Sequence, residues 1–595
     1  MEKLKTLIAL NRLFECKKNM KTFKILKNIY YSEHMPNSFK KTIMFFFKKY
    51  KRIRYKVKER YLFPLSFDGR INYMCKSIFN DNGDSYYPLY YGEGYITKAN
   101  SIEDNYSYKI EIYRADKYQN DKIINFLFKE DSLLPVAFIK EGATNNANND
   151  FSIEIIKNKE KYILENITPN RYTNLHFQKN DLIEISNSRN LIIGKDIPLL
   201  TNKKNQKKLV LVLFIDALGG TIFDKYDMKE VIPNTFNFFK KGVIFNKSFA
   251  NAEYTVTSLA SMHTGKYVHN NDFFHPKKQQ QLGKNSKTIQ SYFKESNYYT
   301  QLISSNSGQN PSNGYCKNYD RTVYKVDMKC HEVIHEFIDS LRVFGTRDTF
   351  TWLTFMEIHH NVSRTLGFSA ESALSLDGHN YQESRSKSIG AKSPFMKYCV
   401  RKEERYIEEL KRVDYHMKIL YDFLETNYSD DEMLVSLVSD HGHSSTNFTK
   451  KNEPLLRKEK ISVPFMIRGS SQNHEKITEE MIDNVDILPT ILKYSGLDYN
   501  KHEIDGVVPK TLGGKGKDFI FSESIYPGQT YKATIKSILY ECFLESDQLI
   551  DDTGVINLNQ YSFFMENIIT GEKITDKHII DKHTRKIIEI IKGGK

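Results

Sequence analysis

The stretch KKLVLVLFIDALGG, Lys207–Gly220, decides the fold. Leu209–Ile215 is a continuous apolar run, too short for a buried helix and without the alternation of a strand that has one wet face. It reads as a strand covered on both faces. The run ends in Asp216, and Gly-Gly follows three residues later, so the chain leaves the strand at an acid. In open α/β sheets ligands bind beyond the carboxyl ends of strands. Two more apolar runs end in the same manner. TWLTFM leads into Glu357-Ile358-His359-His360, and LVSLVS leads into Asp440-His441-Gly442-His443. Carboxylates and imidazoles gathered at one sheet edge suit a divalent cation.

Working outward, helical patterns alternate with these strands: TIQSYFKESN at 288–297, HEVIHEFIDSLRVF at 331–344 and EERYIEELKRVDYHMKILYDFLETN at 403–427. The alternation predicts an α/β domain over 203–595, with a mixed tail beyond about residue 535. Residues 61–200 differ. YSYKIEIYRA, IINFLFKE, LLPVAFIKE, FSIEIIKN, KYILEN and LIEISNSRNLIIG are short and β-rich, separated by Asn, Asp and Gly clusters. They predict an antiparallel β-sandwich, either a packing module or a glycan binder.

The formal net charge is +14, and residues 1–60 hold all of it: 14 Lys and 4 Arg against 4 Glu. The remaining 535 residues are neutral, which argues against nucleic acid, whose binders spread their excess over a groove or face. Residues 1–60 read as basic amphipathic helices broken near Pro36, with Phe45, Phe46, Phe47 and Tyr50 among the cations. Such a segment fits an anionic membrane surface or packs on the body with its basic side solvated. No run approaches the length of a membrane span, and six scattered cysteines without CxxC spacing fit reduced thiols. The expected location is cytoplasmic, peripheral at the inner membrane.

One more segment carries chemistry. FANAEYTVTSLASMHTGKY, Phe249–Tyr267, places Thr255, Thr257, Ser258 and Ser261 ahead of Thr264-Gly265. Ser and Thr here cap a helix, and a hydroxyl at a helix N-terminus also sits where free N–H groups favour an anion. His263 reads as a packed position.

In these segments, in this order, the chain resembles the sulfatase-like branch of the alkaline phosphatase superfamily. LVLVLFIDALGG is similar to its first metal strand, GVIFNKSFANAEYTVTSLASMHTG to its nucleophile segment, SLVSDHGH to its second metal motif, and EKISVPFMIRG, VDILPTILKYSGL and Asp505-Gly506 to its tail. The resemblance implies a central mixed sheet flanked by helices. It puts Thr255 at the nucleophile position and Asp216, Thr255, Asp440 and His441 around one divalent metal, Zn²⁺ or Mn²⁺ first, with Ca²⁺ or Mg²⁺ as alternatives. It leaves His359, His360 and His443 to contact phosphate or protonate a leaving group. Ser258, Lys266 and Glu357 are its candidate substrate contacts. Ala217 stands where many sulfatases carry a second Asp, and Leu259 where they carry Arg. Thr255 cannot become the formylglycine of mature sulfatases, so sulfate-ester hydrolysis is disfavoured.

The implied chemistry is double displacement through a phospho-threonine. A sugar hydroxyl as acceptor makes the enzyme a transferase of phosphoramidate, phosphoethanolamine or glycerol phosphate to a bacterial surface polysaccharide, taking the group from a nucleotide- or lipid-linked donor. Water as acceptor makes it a phosphodiesterase or phosphatase. A non-catalytic glycan- or membrane-binding protein is the third reading.

Overall fold

The computed structural model describes residues 80–81, 84–91, 109–118, 124–138, 153–165, 167, 171–186, 191–199, 206–276, 280–284, 286–326, 328–345, 347–360, 400–443, 456, 458–469 and 476–593. The basic segment 1–60 and the polar insertion around His379 lie outside the described residues.

Leu209–Ile215 is the middle of the main sheet. It pairs in parallel with Thr349–Phe355 on one side and with Met433–Val438 on the other. Outward from Thr349–Phe355 come Tyr299–Ser304 and Arg321–Tyr324, both parallel. Outward from Met433–Val438 come Phe465–Arg468 and Val243–Phe249, each antiparallel to its inner neighbour, then Lys476–Asp483, parallel to Val243–Phe249. The sheet is therefore mixed, with its parallel centre holding three of the strands whose ends carry the acids and imidazoles.

The period-2 geometry of a strand explains why the decisive run is apolar throughout. Leu209, Leu211, Leu213 and Ile215 face the layer built by the Cys330–Phe344 and Val400–Asn427 helices. Val210, Val212 and Phe214 face the layer built by the Thr255–Thr264, Ile289–Glu295 and Ile487–Tyr494 helices. Both faces are dry, so no polar position survives in the strand.

The β-rich segment forms a sandwich that is joined to this sheet. Lys109–Tyr118 pairs with Arg321–Tyr324 through Ile110–Tyr113 and with Leu191–Gly194 through Ala115–Tyr118. Ser132–Phe138 extends the layer, and a second sheet of Ile124–Leu127, Leu182–Ser186, Ile153–Lys157 and Glu160–Leu164 packs against it. Leu134, Val136, Ile153, Ile155, Ile183, Ile185 and Ile193 fill the space between them. The outer face of the first layer packs Tyr113, Ala137 and Ile192 with Tyr299 and Phe344 of the α/β layers.

The tail is a separate antiparallel sheet, Ile520–Ser524, Thr530–Lys536, Tyr540–Leu549 and Tyr561–Asn567 in chain order. The Lys577–Gly593 helix covers it with His583, Thr584, Ile587 and Ile591. Cys316, Cys330 and Cys542 are buried free thiols. Among the described residues no helix is long and apolar enough to cross a membrane.

Candidate active site

Four turns at the carboxyl edge of the sheet converge. Asp216 follows the Leu209–Ile215 strand and is buried. The next residue, Ala217, takes the left-handed conformation at φ 61°, a costly one for a residue with a Cβ. Three hydrogen bonds hold the turn there. The Ala217 N–H donates to Asp440 Oδ1 at 2.9 Å, and the Tyr406 hydroxyl donates to the Ala217 carbonyl at 2.9 Å and accepts from the Gly219 N–H at 3.0 Å. Asp440 follows Met433–Val438, and its Oδ1 also takes the His441 N–H at 2.9 Å.

The turn after Asp440 must pass close to the segment before Val463-Pro464. Gly442 donates its N–H to the Lys460 carbonyl at 2.7 Å, and a Cβ at Gly442 would meet the Glu459 carbonyl oxygen at 2.0 Å. Only glycine fits this approach. The contact fixes His441, whose Nδ1 lies 3.1 Å from the Gly442 carbonyl and whose Nε2 points inward.

Thr255 is the first residue of the Thr255–Thr264 helix. Its hydroxyl lies 3.1 Å from His441 Nε2 and 3.4 Å from Asp216 Oδ2. His441 Nε2 is 3.2 Å from Asp440 Oδ2, and His359 Nε2 is 3.8 Å from Asp216 Oδ1. One ligand atom each from Asp216, His359 and His441 falls within 4.8 Å of the others. His359 therefore stands among the groups that could hold a cation, a place not expected of it alongside the phosphate-contact or leaving-group role. The His443 ring is buried, stacks on Tyr406 at 5.6 Å and meets the His359 ring edge-on at 6.1 Å. The side chain of His360 lies outside the described residues.

The donor set fits a divalent cation. Asp216 Oδ1 and Asp440 Oδ2 are buried and have no hydrogen-bond donor, although a buried carboxylate oxygen without one is costly. Burial, and after it the charge of Asp440, pushes the Asp216 carboxyl well above the usual carboxylate range. A cation between the two acids removes that conflict. Oxygen and imidazole donors of this kind match Zn²⁺ or Mn²⁺ in type.

Asn306 was not foreseen. It lies two residues past the Tyr299–Ser304 strand, donates from Nδ2 to Asp216 Oδ2, and accepts the Gly308 N–H on Oδ1. Gly308 brings this loop against the Thr255 methyl group: a Cβ there would lie 2.9 Å from Thr255 Cγ2. The strand-end rule that singled out Asp216 applies equally to Ser304-Ser305-Asn306.

Of three expected substrate contacts, two do other work and the third stands away from Thr255. The Ser258 hydroxyl is fully buried, donates to the Asp440 carbonyl at 2.7 Å and accepts from Asn484 Nδ2 at 3.0 Å. It braces the Asp440 turn. Lys266 comes after the far end of the helix that Thr255 begins, an end about 13 Å along the axis from Thr255 at 1.5 Å per residue. Glu357 is buried and accepts the N–H of Cys330, so it caps the Cys330–Phe344 helix. The resemblance offered all three as substrate contacts, but a sequence does not give the direction in which a side chain turns. His263 is packed, stacked on Trp352 at 4.2 Å.

Residues 208–497 match the family model named Sulfatase. The domain holding these residues is similar to the Sulfatase family. Solved structures similar to the chain include a 2-O GAG sulfatase, 12% identical, covering 65% of this chain and 93% of that one with a TM-score of 0.46. A phosphonate monoester hydrolase from Silicibacter pomeroyi is 14% identical over 65% and 94%, TM-score 0.47. An alkaline phosphatase superfamily protein from Vibrio parahaemolyticus is 14% identical over 66% and 88%, TM-score 0.44. Within the sulfatase-like domain, the clustered acids and imidazoles and the hydroxyl of Thr255 form the candidate catalytic centre.

Proposed function

We propose that the chain is a metal-dependent phosphotransferase. It moves a phosphoryl-type group, such as phosphoramidate, phosphoethanolamine or glycerol phosphate, from a nucleotide- or lipid-linked donor to a sugar hydroxyl of a bacterial surface polysaccharide. The observation that carries this reading is the Thr255 hydroxyl, seated 3.1 Å from His441 Nε2 and 3.4 Å from an Asp216 oxygen at a helix N-terminus. A hydroxyl is a weak nucleophile unless a neighbour takes its proton or a cation draws charge from it. A bound divalent cation supplies that charge and screens the phosphoryl oxygens. The free N–H groups of the first helical turn face the same anion.

The Thr255 hydroxyl, its acidity raised by a bound cation, gives its proton to solvent, and Oγ1 attacks phosphorus. The bond from phosphorus to the donor's leaving oxygen breaks, and that oxygen takes a proton from an imidazole on the His359–His443 side of the site. The acceptor hydroxyl then gives its proton back to that imidazole as its oxygen bonds phosphorus, and the bond from phosphorus to Thr255 Oγ1 breaks. Thr in place of Cys or Ser supports phosphoryl over sulfuryl chemistry, because it cannot yield a formylglycine. The basic segment 1–60 supports a post at an anionic membrane face, where the acceptor glycan is assembled.

Mass spectrometry of the protein after incubation with nucleotide-linked donors tests the reading. A mass increment on the peptide carrying Thr255, discharged by added glycan, is the expected result. Discharge at the same rate without glycan assigns water as acceptor, and no increment with any phospho-donor overturns the covalent route.

A further inference from the structure

Away from the catalytic centre, two long helices bring two histidine rings together, with a third histidine one helical turn along. His331 and His335 are exposed and stand four residues apart on the Cys330–Phe344 helix, so both occupy one flank. The buried face of that helix carries Val333, Ile334, Phe337 and Leu341. His416, half-buried, lies on the Val400–Asn427 helix, which packs alongside. The rings of His331 and His416 are 5.4 Å apart, centre to centre.

The geometry points to a surface binding site for a divalent transition cation of the zinc type, held by His331, His335 and His416. A tetrahedral zinc with Zn–N near 2.1 Å holds two imidazole ring centres about 5 Å apart, close to the spacing found. His335, one turn along and solvent-exposed, completes the set by a change of rotamer. Two histidines at i and i+4 on one helix face are a ligand spacing that zinc uses elsewhere.

The neighbouring charges are consistent with neutral rings. Burial, His335, Arg412 and Lys329 lower the proton affinity of His331, while Glu332 raises it; burial, His331, Arg412 and His335 lower that of His416. Arg412 is paired with Glu409 at 2.8 Å, and Glu332 with Lys325 at 2.7 Å. Among the described residues, no hydrogen bond or ion pair occupies the three rings, and neutral imidazole nitrogens are the form a metal takes. The bound ion would pin the helix before the Thr349–Phe355 strand to the helix before the Met433–Val438 strand, whose ends carry His359 and Asp440. This site stands on its own geometry and needs no particular donor or acceptor at Thr255.

The test uses full-length protein without a purification tag, stripped with chelator and titrated with zinc chloride in equilibrium dialysis. The wild type is expected to bind one more equivalent than the His331→Gln/His335→Gln/His416→Gln variant. His335→Gln alone should weaken that equivalent at least tenfold, and zinc should raise Tm more in the wild type than in the triple variant. Turnover in the single variant stays at the wild-type level. Equal stoichiometry in wild type and triple variant, with chelated Tm values matching, overturns the site. If the triple variant's Tm is lower under chelator, the His335→Gln titration decides, and unchanged affinity there overturns it as well.

Discussion

His441 presents Nε2 to the Thr255 hydroxyl at 3.1 Å while its Nδ1 rests 3.1 Å from the Gly442 carbonyl. A carbonyl only accepts, so Nδ1 carries the proton and Nε2 is left with its lone pair. Backbone geometry thus sets the tautomer. A glycine at 442 lets the chain come within reach of the Lys460 carbonyl and fixes the turn that does so.

Replacing Thr255 by Ala should lower turnover by about three orders of magnitude or more, since a nucleophile and its activating groups act as one unit. Thr255→Ser keeps the oxygen and should retain activity within about tenfold. Both variants should melt near the wild type, because Thr255 is only half-buried. Steady-state rates with any turned-over phosphodiester decide it, and an Ala variant within tenfold of wild type sinks the covalent route.

Asn306 is a positioning residue for Asp216. Its Nδ2 donates to the carboxylate, while Gly308 holds its Oδ1. Asn306→Ala should weaken binding of the catalytic metal by about 10–100-fold, the range typical of lost outer partners of ligands. Saturating metal should restore kcat more than it restores the binding constant. Asn306→Asp turns the donor into a third acid beside Asp216 and Asp440, and its metal dependence should shift differently from that of the Ala variant. Identical metal titration curves in wild type and Ala variant refute the role.

Much of this was legible in the chain. The Leu209–Ile215 run, its terminal Asp216, and the two later strands ending at Glu357–His360 and Asp440–His443 follow from local periodicity, which one sequence displays fully. The Thr255–Thr264 helix was legible from its hydroxyls and its glycine stop. Direction was not legible. Ser258 and Glu357 sit one helical turn or two residues from the centre, yet each turns to a backbone group, and that choice depends on Asp440 and Cys330, 182 and 27 residues away. Tyr406 was hidden for the same reason: it reads as one apolar position of a long helix, and its hydroxyl meets the Ala217 turn only after folding.

Acid should act first on His263. Burial drives its pKa down to about 4, and Gln290 opposes this weakly. The folded value lies below the unfolded one near 6.5, so the stability it contributes is complete above pH 6.5 and is lost as pH falls toward 4. The swing is about 3 kcal/mol. His263→Phe keeps the stack on Trp352 and removes this proton. Its urea midpoint should fall less between pH 7 and pH 4.5 than that of the wild type. Parallel pH profiles for the two proteins would exclude His263 as the titrating group.

The junction between the catalytic layers and the tail sheet rests on Lys517. Its Nζ is 2.8 Å from Asp483 Oδ1 and 2.8 Å from Asp486 Oδ1, both carboxylates being buried. Between those acids lies Asn484, whose Nδ2 holds the Ser258 hydroxyl and the Ser439 carbonyl, each at 3.0 Å. Lys517→Met strands two buried acids without their cation, at a cost of about 3–5 kcal/mol. Burial already pushes the Asp486 carboxyl up to about 7, and without the lysine charge it holds its proton still more tightly in the folded chain than in the unfolded one. Stability gained this way is present at low pH and lost as pH rises, so the deficit of the variant should shrink between pH 8 and pH 5. Lys517→Met/Asp483→Asn/Asp486→Asn should recover part of the loss at pH 8. A deficit independent of pH would mean that packing of the lysine stem, rather than its charge, holds the junction.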